Sequence, residues 1–80
     1  MNPQEYLPRL AMTLNNVARL YRDMDRLVDC EANCREAQAI LQPFWENSPR
    51  LYGDLMSAIY LNLGWTPGLR RSVKTLLTAH

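Results

Sequence analysis

Residues Leu7–Val28, LPRLAMTLNNVARLYRDMDRLV, carry the reading that decides the fold. Leu7, Leu10, Leu14, Val17, Tyr21, Met24 and Val28 recur at alternating intervals of three and four, which brings them onto one side of an α-helix. Ala11, Ala18, Leu20 and Leu27 flank this seam, while Arg9, Asn15, Asn16, Arg19, Arg22, Asp23 and Arg26 fall on the other side. The apolar side is wider than a two-stranded seam needs, as bundle helices require.

Upstream, Asn2, Pro3 and Glu5 form a start signal. Asn supplies a side-chain acceptor at the N-cap, proline presets φ at the first helical position, and an acid sits at the positive end of the helix. Pro8 lies close enough to this start to be tolerated. A helix from Pro3 to Val28 is about 39 Å long at 1.5 Å per residue. A compact domain of this size is only about 30 Å across. The expected helix therefore overhangs a monomer, and its projecting apolar surface calls for a cover. Homodimerisation through Leu10, Leu14, Val17, Tyr21 and Met24 is the expectation.

Downstream, Asn33 and Glu36 make a variant of the capping box and predict the start of a second helix, with Cys34, Ala37, Ile40 and Leu41 inward. The alternative is one unbroken helix from Pro3 to Gln42, because no glycine or proline interrupts Asp29–Gln42. Pro43 disfavours helical geometry at Gln42 and predicts an end or a kink there. Asn47, Ser48 and Pro49 predict a third helix with Tyr52, Leu55, Met56, Ile59 and Leu63 as its inner face. Gly64 can take the left-handed conformation that stops a helix. Thr66 and Pro67 then start a fourth, with Leu69, Val73, Leu76 and Leu77 inward. No strand-like alternation or internal repeat is present, so the expected fold is all-α, a small bundle of three to four helices in a single domain spanning residues 1–80.

Eighty residues bury only somewhat more than about 60% of the surface of the unfolded chain, which leaves modest stability to a monomer. The chain is 48% apolar and 21% charged, the composition of an ordered domain. Its formal net charge of +1 is too small for the broad field of a nucleic-acid or membrane binder. The charges are nevertheless graded along the chain. Asp29, Glu31, Glu36 and Glu46 outweigh Arg35 in the middle, whereas no acid follows Leu55 and Arg70, Arg71 and Lys74 make the last segment basic. Glu5 and Pro8 do not suit a secretory signal, and the longest apolar stretch, Leu55–Leu63, is far shorter than the roughly 18 residues of a membrane span. A cytoplasmic location is expected.

The residues do not assemble into a reaction centre. Cys30 and Cys34 share a helical face, but a structural zinc site needs four ligands and the one histidine is the terminal His80. Both cysteines are expected to be structural thiols. Ser48, Ser57 and Ser72 lack a paired base, and Gly53, Gly64 and Gly68 do not form a phosphate loop. Asp23 and Asp25 lie among Arg19, Arg22 and Arg26, where surface ion pairs are weak. The sequence thus points away from an enzyme and toward no cofactor and no metal.

What remains is binding. Phe44, Trp45, Tyr52 and Trp65 concentrate aromatic area near element ends, and tryptophan is enriched in interface hot spots. Trp45, Trp65, Arg70, Arg71 and Lys74 are the candidate residues for contact with a larger protein partner. The expected role is that of a small helical adaptor or inhibitor, a class found among proteins encoded by bacteria and mobile elements. The alternative is a DNA-binding regulator in which the segment from Tyr52 to His80 is a helix-turn-helix and its cations reach phosphates.

Overall fold

The Asn2 side chain accepts a hydrogen bond from the Gln4 backbone N–H at 3.0 Å, and Pro3 opens the first helix as the sequence predicts. The structure, a computed structural model, describes residues 2–66. Within them the chain forms α1 (Pro3–Asp23), α2 (Leu27–Asn47) and α3 (Pro49–Leu63), with no strand among the described residues. The bundle expectation is met with three helices. The predicted fourth helix and its inward residues Leu69, Val73, Leu76 and Leu77 lie outside the described residues.

The first break comes earlier than expected. α1 stops at Asp23, and Asp25 takes a positive φ of 58°. Backbone N–H groups of Arg26 and Asp25 donate to the carbonyls of Tyr21 and Arg22, at 2.8 and 3.0 Å. This pair of bonds is the Schellman closure, usually built on glycine, with aspartate in the left-handed position that Asp and Asn tolerate best among side-chain-bearing residues. The side chains reinforce it, since the Arg26 guanidinium lies 5.0 Å from the centre of the Tyr21 ring. Arg26 also pairs with Asp29 at 2.8 Å, placing an acid in the first turn of α2. Helix formation resumes at Leu27, so Asn33 is an interior residue whose Nδ2 donates to the Asp29 carbonyl instead of capping.

This boundary removes the predicted overhang. α1 and α2 both contain 21 residues and run about 31 Å each, so the short turn folds them into a hairpin of matched length. Nor does Pro43 end α2, which continues to Asn47. An interior proline costs about 3 kcal/mol through its missing N–H and its ring. The turn beyond it is held by tertiary packing: Phe44 and Trp45 lie against the core, and Phe44 meets Tyr52 of α3 edge-on at 5.9 Å. Pro49 opens α3 as predicted, although the Ser48 side chain makes no capping bond. Gly64 is right-handed, with φ −60° and ψ −21°, and the chain winds on through Trp65 and Thr66, whose N–H groups bond to Asn62 and Leu63.

The core selects small residues on α1. Ala11, Asn15 and Ala18 are buried, facing Cys30, Cys34, Ala37 and Leu41 of α2 and Met56, Ile59, Asn62 and Leu63 of α3. The buried line is thus shifted one residue, about 100°, from the Leu10, Leu14, Val17 seam. Small side chains let helix axes approach toward the lower end of the usual 8–10 Å. The bulky seam residues Leu14 and Tyr21 then pack on the core from its border. α2 is the central element, packing along both neighbours, while α1 and α3 touch far less.

Candidate functional site

The contact between α1 and α3 is polar. Asn62 Nδ2 donates to Asn15 Oδ1 at 2.8 Å, and Asn62 Oδ1 accepts from Arg22 Nη1 at 2.9 Å. Arg22 also reaches Asp23 at 3.5 Å, and its guanidinium lies 5.8 Å from the centre of the Trp65 ring. Every buried side-chain nitrogen and oxygen among the described residues has a hydrogen-bond partner. Sequence reasoning placed Asn15 and Arg22 on the solvated side of the helix; Asn15 is buried and Arg22 half-buried. Asparagine is read as polar and therefore external unless its partner, forty-seven residues away, is known.

Arg22, Asp23, Asp25, Leu27 and Trp65 border an open cleft of about 540 Å³ at the α1–α2 turn. A second hollow of about 690 Å³ lies at the other end, where Glu5 and Leu7 face Pro43, Phe44 and Tyr52. Among the described residues, no group of three or more histidine, cysteine, aspartate or glutamate side chains is arranged to hold a metal ion. No helix among them is long and apolar enough to cross a membrane.

Cys30 and Cys34 are free and buried. Burial pushes both thiols up, Cys34 to about 12, where the neighbouring Cys30 adds to the shift. A thiol needs its thiolate to attack or to bind metal, and burial opposes that form at both positions.

The predicted dimer residues divide among different environments. Leu14 and Tyr21 pack on the core, Leu10 and Val17 are half-buried, and Met24 is 62% exposed. The partner-binding residues divide too. Trp45 is half-buried against the core, Trp65 is 51% exposed beside Arg22, and Arg70, Arg71 and Lys74 lie outside the described residues.

Two apolar surfaces emerge instead. On the outer edge of α1, Tyr6, Leu10, Val17, Leu20 and Met24 follow one another at helical spacing, with exposed Thr13 in line; Leu20 is 56% exposed. On α3, Leu51, Ala58 and Leu61, continued by Trp65 just beyond its end, form a stripe on the side away from Met56, Ile59 and Leu63; Leu51 is 71% and Leu61 68% exposed. Sequence reasoning missed Leu20 as an edge residue and missed Leu51 and Leu61 entirely. The seven-residue step from Leu51 to Ala58 to Trp65 was the available signal. The chain matches no protein-family model, no curated protein and no solved structure.

Proposed function

We propose that this chain is a non-enzymatic binding module, a small helical adaptor or inhibitor that self-associates through the outer edge of α1 and occludes or bridges a larger protein. The observation that carries the reading is the edge Tyr6, Leu10, Val17, Leu20, Met24. From Tyr6 to Met24 it runs about 27 Å, with Leu20 and Met24 more than half exposed. An apolar line of this length, interrupted by Thr13, supports an interaction surface on so small a protein. The predicted homodimer is thereby kept but moved outward, with Leu20 and Tyr6 in place of Leu14 and Tyr21.

The fourth helix, started by Thr66 and Pro67, belongs to the same reading. On a helical wheel its cations Arg71 and Lys74 fall away from Leu69, Val73 and Leu76 with Arg70 at the border, and the three suit a partner surface bearing acids, where charge tunes association rate and specificity. Sedimentation equilibrium tests the self-association. The wild-type chain is expected to be dimeric at micromolar concentration, and the double variant Leu20→Glu, Met24→Glu monomeric with unchanged helicity, because both side chains lie outside the core. A folded wild-type monomer at about 100 μM, a Kd corresponding to only about 5–6 kcal/mol, would refute it. Duplex-DNA binding that weakens steeply with salt would assign the cations to phosphates instead.

A further inference from the structure

We infer that the outer edge of α1 receives a second copy of this chain in the antiparallel sense, with Tyr6 against the partner's Met24, Leu10 against the partner's Leu20 and Thr13 against the partner's Val17. This rests on the self-association reading of the edge and adds the orientation of the second copy and the residues that select it.

The edge itself is the first observation. At about 100° per residue, Tyr6, Leu10, Thr13, Val17 and Leu20 fall within about 80° of the helix circumference, and the C-cap residue Met24 continues their line. Their intervals of four, three, four, three and four read the same from either end. An inverted copy therefore presents the same line, in register over about 27 Å. Thr13, the polar residue in the middle, does not oppose this. Its hydroxyl donates to the Arg9 carbonyl at 3.0 Å, so covering it strands no unpaired group.

The margins of the edge supply the direction. Arg9, Asn16 and Asp23 follow one another along one margin, all exposed, and Leu7, Leu14 and Tyr21 along the other, all half-buried. Flanking charges of this kind set the orientation of paired helices. Antiparallel helices bring like margins together, whereas parallel helices set each margin against the opposite one. In the antiparallel pair Arg9 faces the partner's Asp23, Asp23 faces the partner's Arg9, and Asn16 faces the partner's Asn16. On the other margin Leu14 meets the partner's Leu14, and Leu7 the partner's Tyr21. Each of these facing residues is offset by about 3 Å along the axis, within reach of the side chains. The parallel pair instead lays Arg9 and Asn16 against the partner's Leu14 and the partner's Tyr21, hydrocarbon and ring in place of a countercharge or amide.

The third observation is that these charges are uncommitted. Arg9 enters no ion pair among the described residues. Asp23 meets Arg22 only at 3.5 Å and keeps 61% of its side chain exposed. Within one chain Arg9 and Asp23 lie about 21 Å apart along α1, so their complementarity is satisfied between chains and not within one.

The test is isotope-filtered NMR on an equal mixture of labelled and unlabelled protein, which admits contacts between chains only. The expected result is a nuclear Overhauser contact from the Met24 methyl to the Tyr6 ring, groups too far apart to meet within one chain. Sedimentation equilibrium gives the second readout. Arg9→Glu and Asp23→Arg each make the facing charges alike and should weaken self-association roughly tenfold. The double variant Arg9→Glu, Asp23→Arg restores the pairs with their signs exchanged and should return to within about threefold of wild type. Both positions are exposed, so helicity should not change. A dimer in which Tyr6 meets the partner's Tyr6 or the partner's Leu10 would overturn the orientation while leaving self-association through the edge standing. A double variant no tighter than the single ones would overturn the ion pairs as the selecting feature. Filtered contacts confined to Leu51 and Leu61 of α3, or a folded monomer at about 100 μM, would overturn the orientation and the self-association reading together.

Discussion

Replacing Asn62 by alanine tests the polar contact that ties α3 to α1. Asn62 is buried and bonds in two directions, to Asn15 Oδ1 at 2.8 Å and from Arg22 Nη1 at 2.9 Å. The two losses are unequal. Asn15 is itself buried, so its oxygen is left without a donor, at a cost of about 1–3 kcal/mol. The Arg22 side chain keeps a quarter of its surface in water and retains Asp23, so solvent replaces much of what it loses. With a small cavity added, Asn62→Ala should destabilise the protein by about 2–3 kcal/mol, a fall in Tm of roughly 8–24 °C for a domain of this size. Urea unfolding followed by circular dichroism at 222 nm measures it, with the m-value as a check that cooperativity is preserved.

A double-mutant cycle sharpens the test. Asn15→Leu and Asn62→Leu each leave a buried amide facing a hydrocarbon, whereas the double variant removes both amides together and should recover much of the loss. The expected coupling is about 1–3 kcal/mol. Additivity to within about 0.5 kcal/mol, or a cost for Asn62→Ala below that same figure, would refute the view that these residues hold α1 and α3 in register.

Three further outcomes follow from the same geometry. Cys34 is raised from 9.0 to about 12, so in alkaline solution the unfolded chain sheds a proton that the folded chain keeps; stability present below pH 9 is lost as pH climbs toward 12. The pH dependence of Tm between 8 and 11 should therefore be shallower in Cys34→Ala than in wild type, and equal slopes would count against the burial of this thiol. Ala18→Leu should cost about 1–3 kcal/mol or more by forcing α1 away from its neighbours, measured by thermal unfolding; a neutral result would show that the helices do not approach closely there. At Asp25, with φ 58°, Gly should be at least as stable as Asp, and Val less stable by about 1–2 kcal/mol, an order that equilibrium unfolding of the three proteins checks.

Much of this fold was legible because its signals are local. Asn2–Pro3 and Ser48–Pro49 mark helix starts by chemistry contained within two or three residues, and α1 and α3 begin there. Met56, Ile59 and Leu63 were legible as an inner face because each is large and their spacing is helical. The α1–α2 boundary was hidden because its left-handed residue is aspartate; Asp25 reads as one more charge on a polar helix face until the Tyr21 and Arg22 carbonyls are seen to accept from the turn. At Pro43, where an end or a kink was expected, the helix does not end. The proline's local penalty is real, but the packing of Phe44 and Trp45 outweighs it, and packing partners cannot be read from a window of a few residues.

The exposed apolar surfaces were harder to read for a related reason. Periodicity says that a side of α1 is apolar without saying which part of it is inside. Large residues at Leu10, Leu14, Val17, Tyr21 and Met24 were read together as one seam for a second copy of the chain. A helix with two neighbours reverses this, because the line closest to both must be narrow, and here it is filled by Ala11, Asn15 and Ala18. The bulky positions are turned to the border, and those beyond it, Leu20 and Met24, to solvent. The apolar side read as a dimer seam, with Leu20 at its flank, thus divides into two environments. Leu14 and Tyr21 support the bundle, while Leu20 and Met24 remain available to another chain, so substitutions at the first pair should change stability and substitutions at the second pair association.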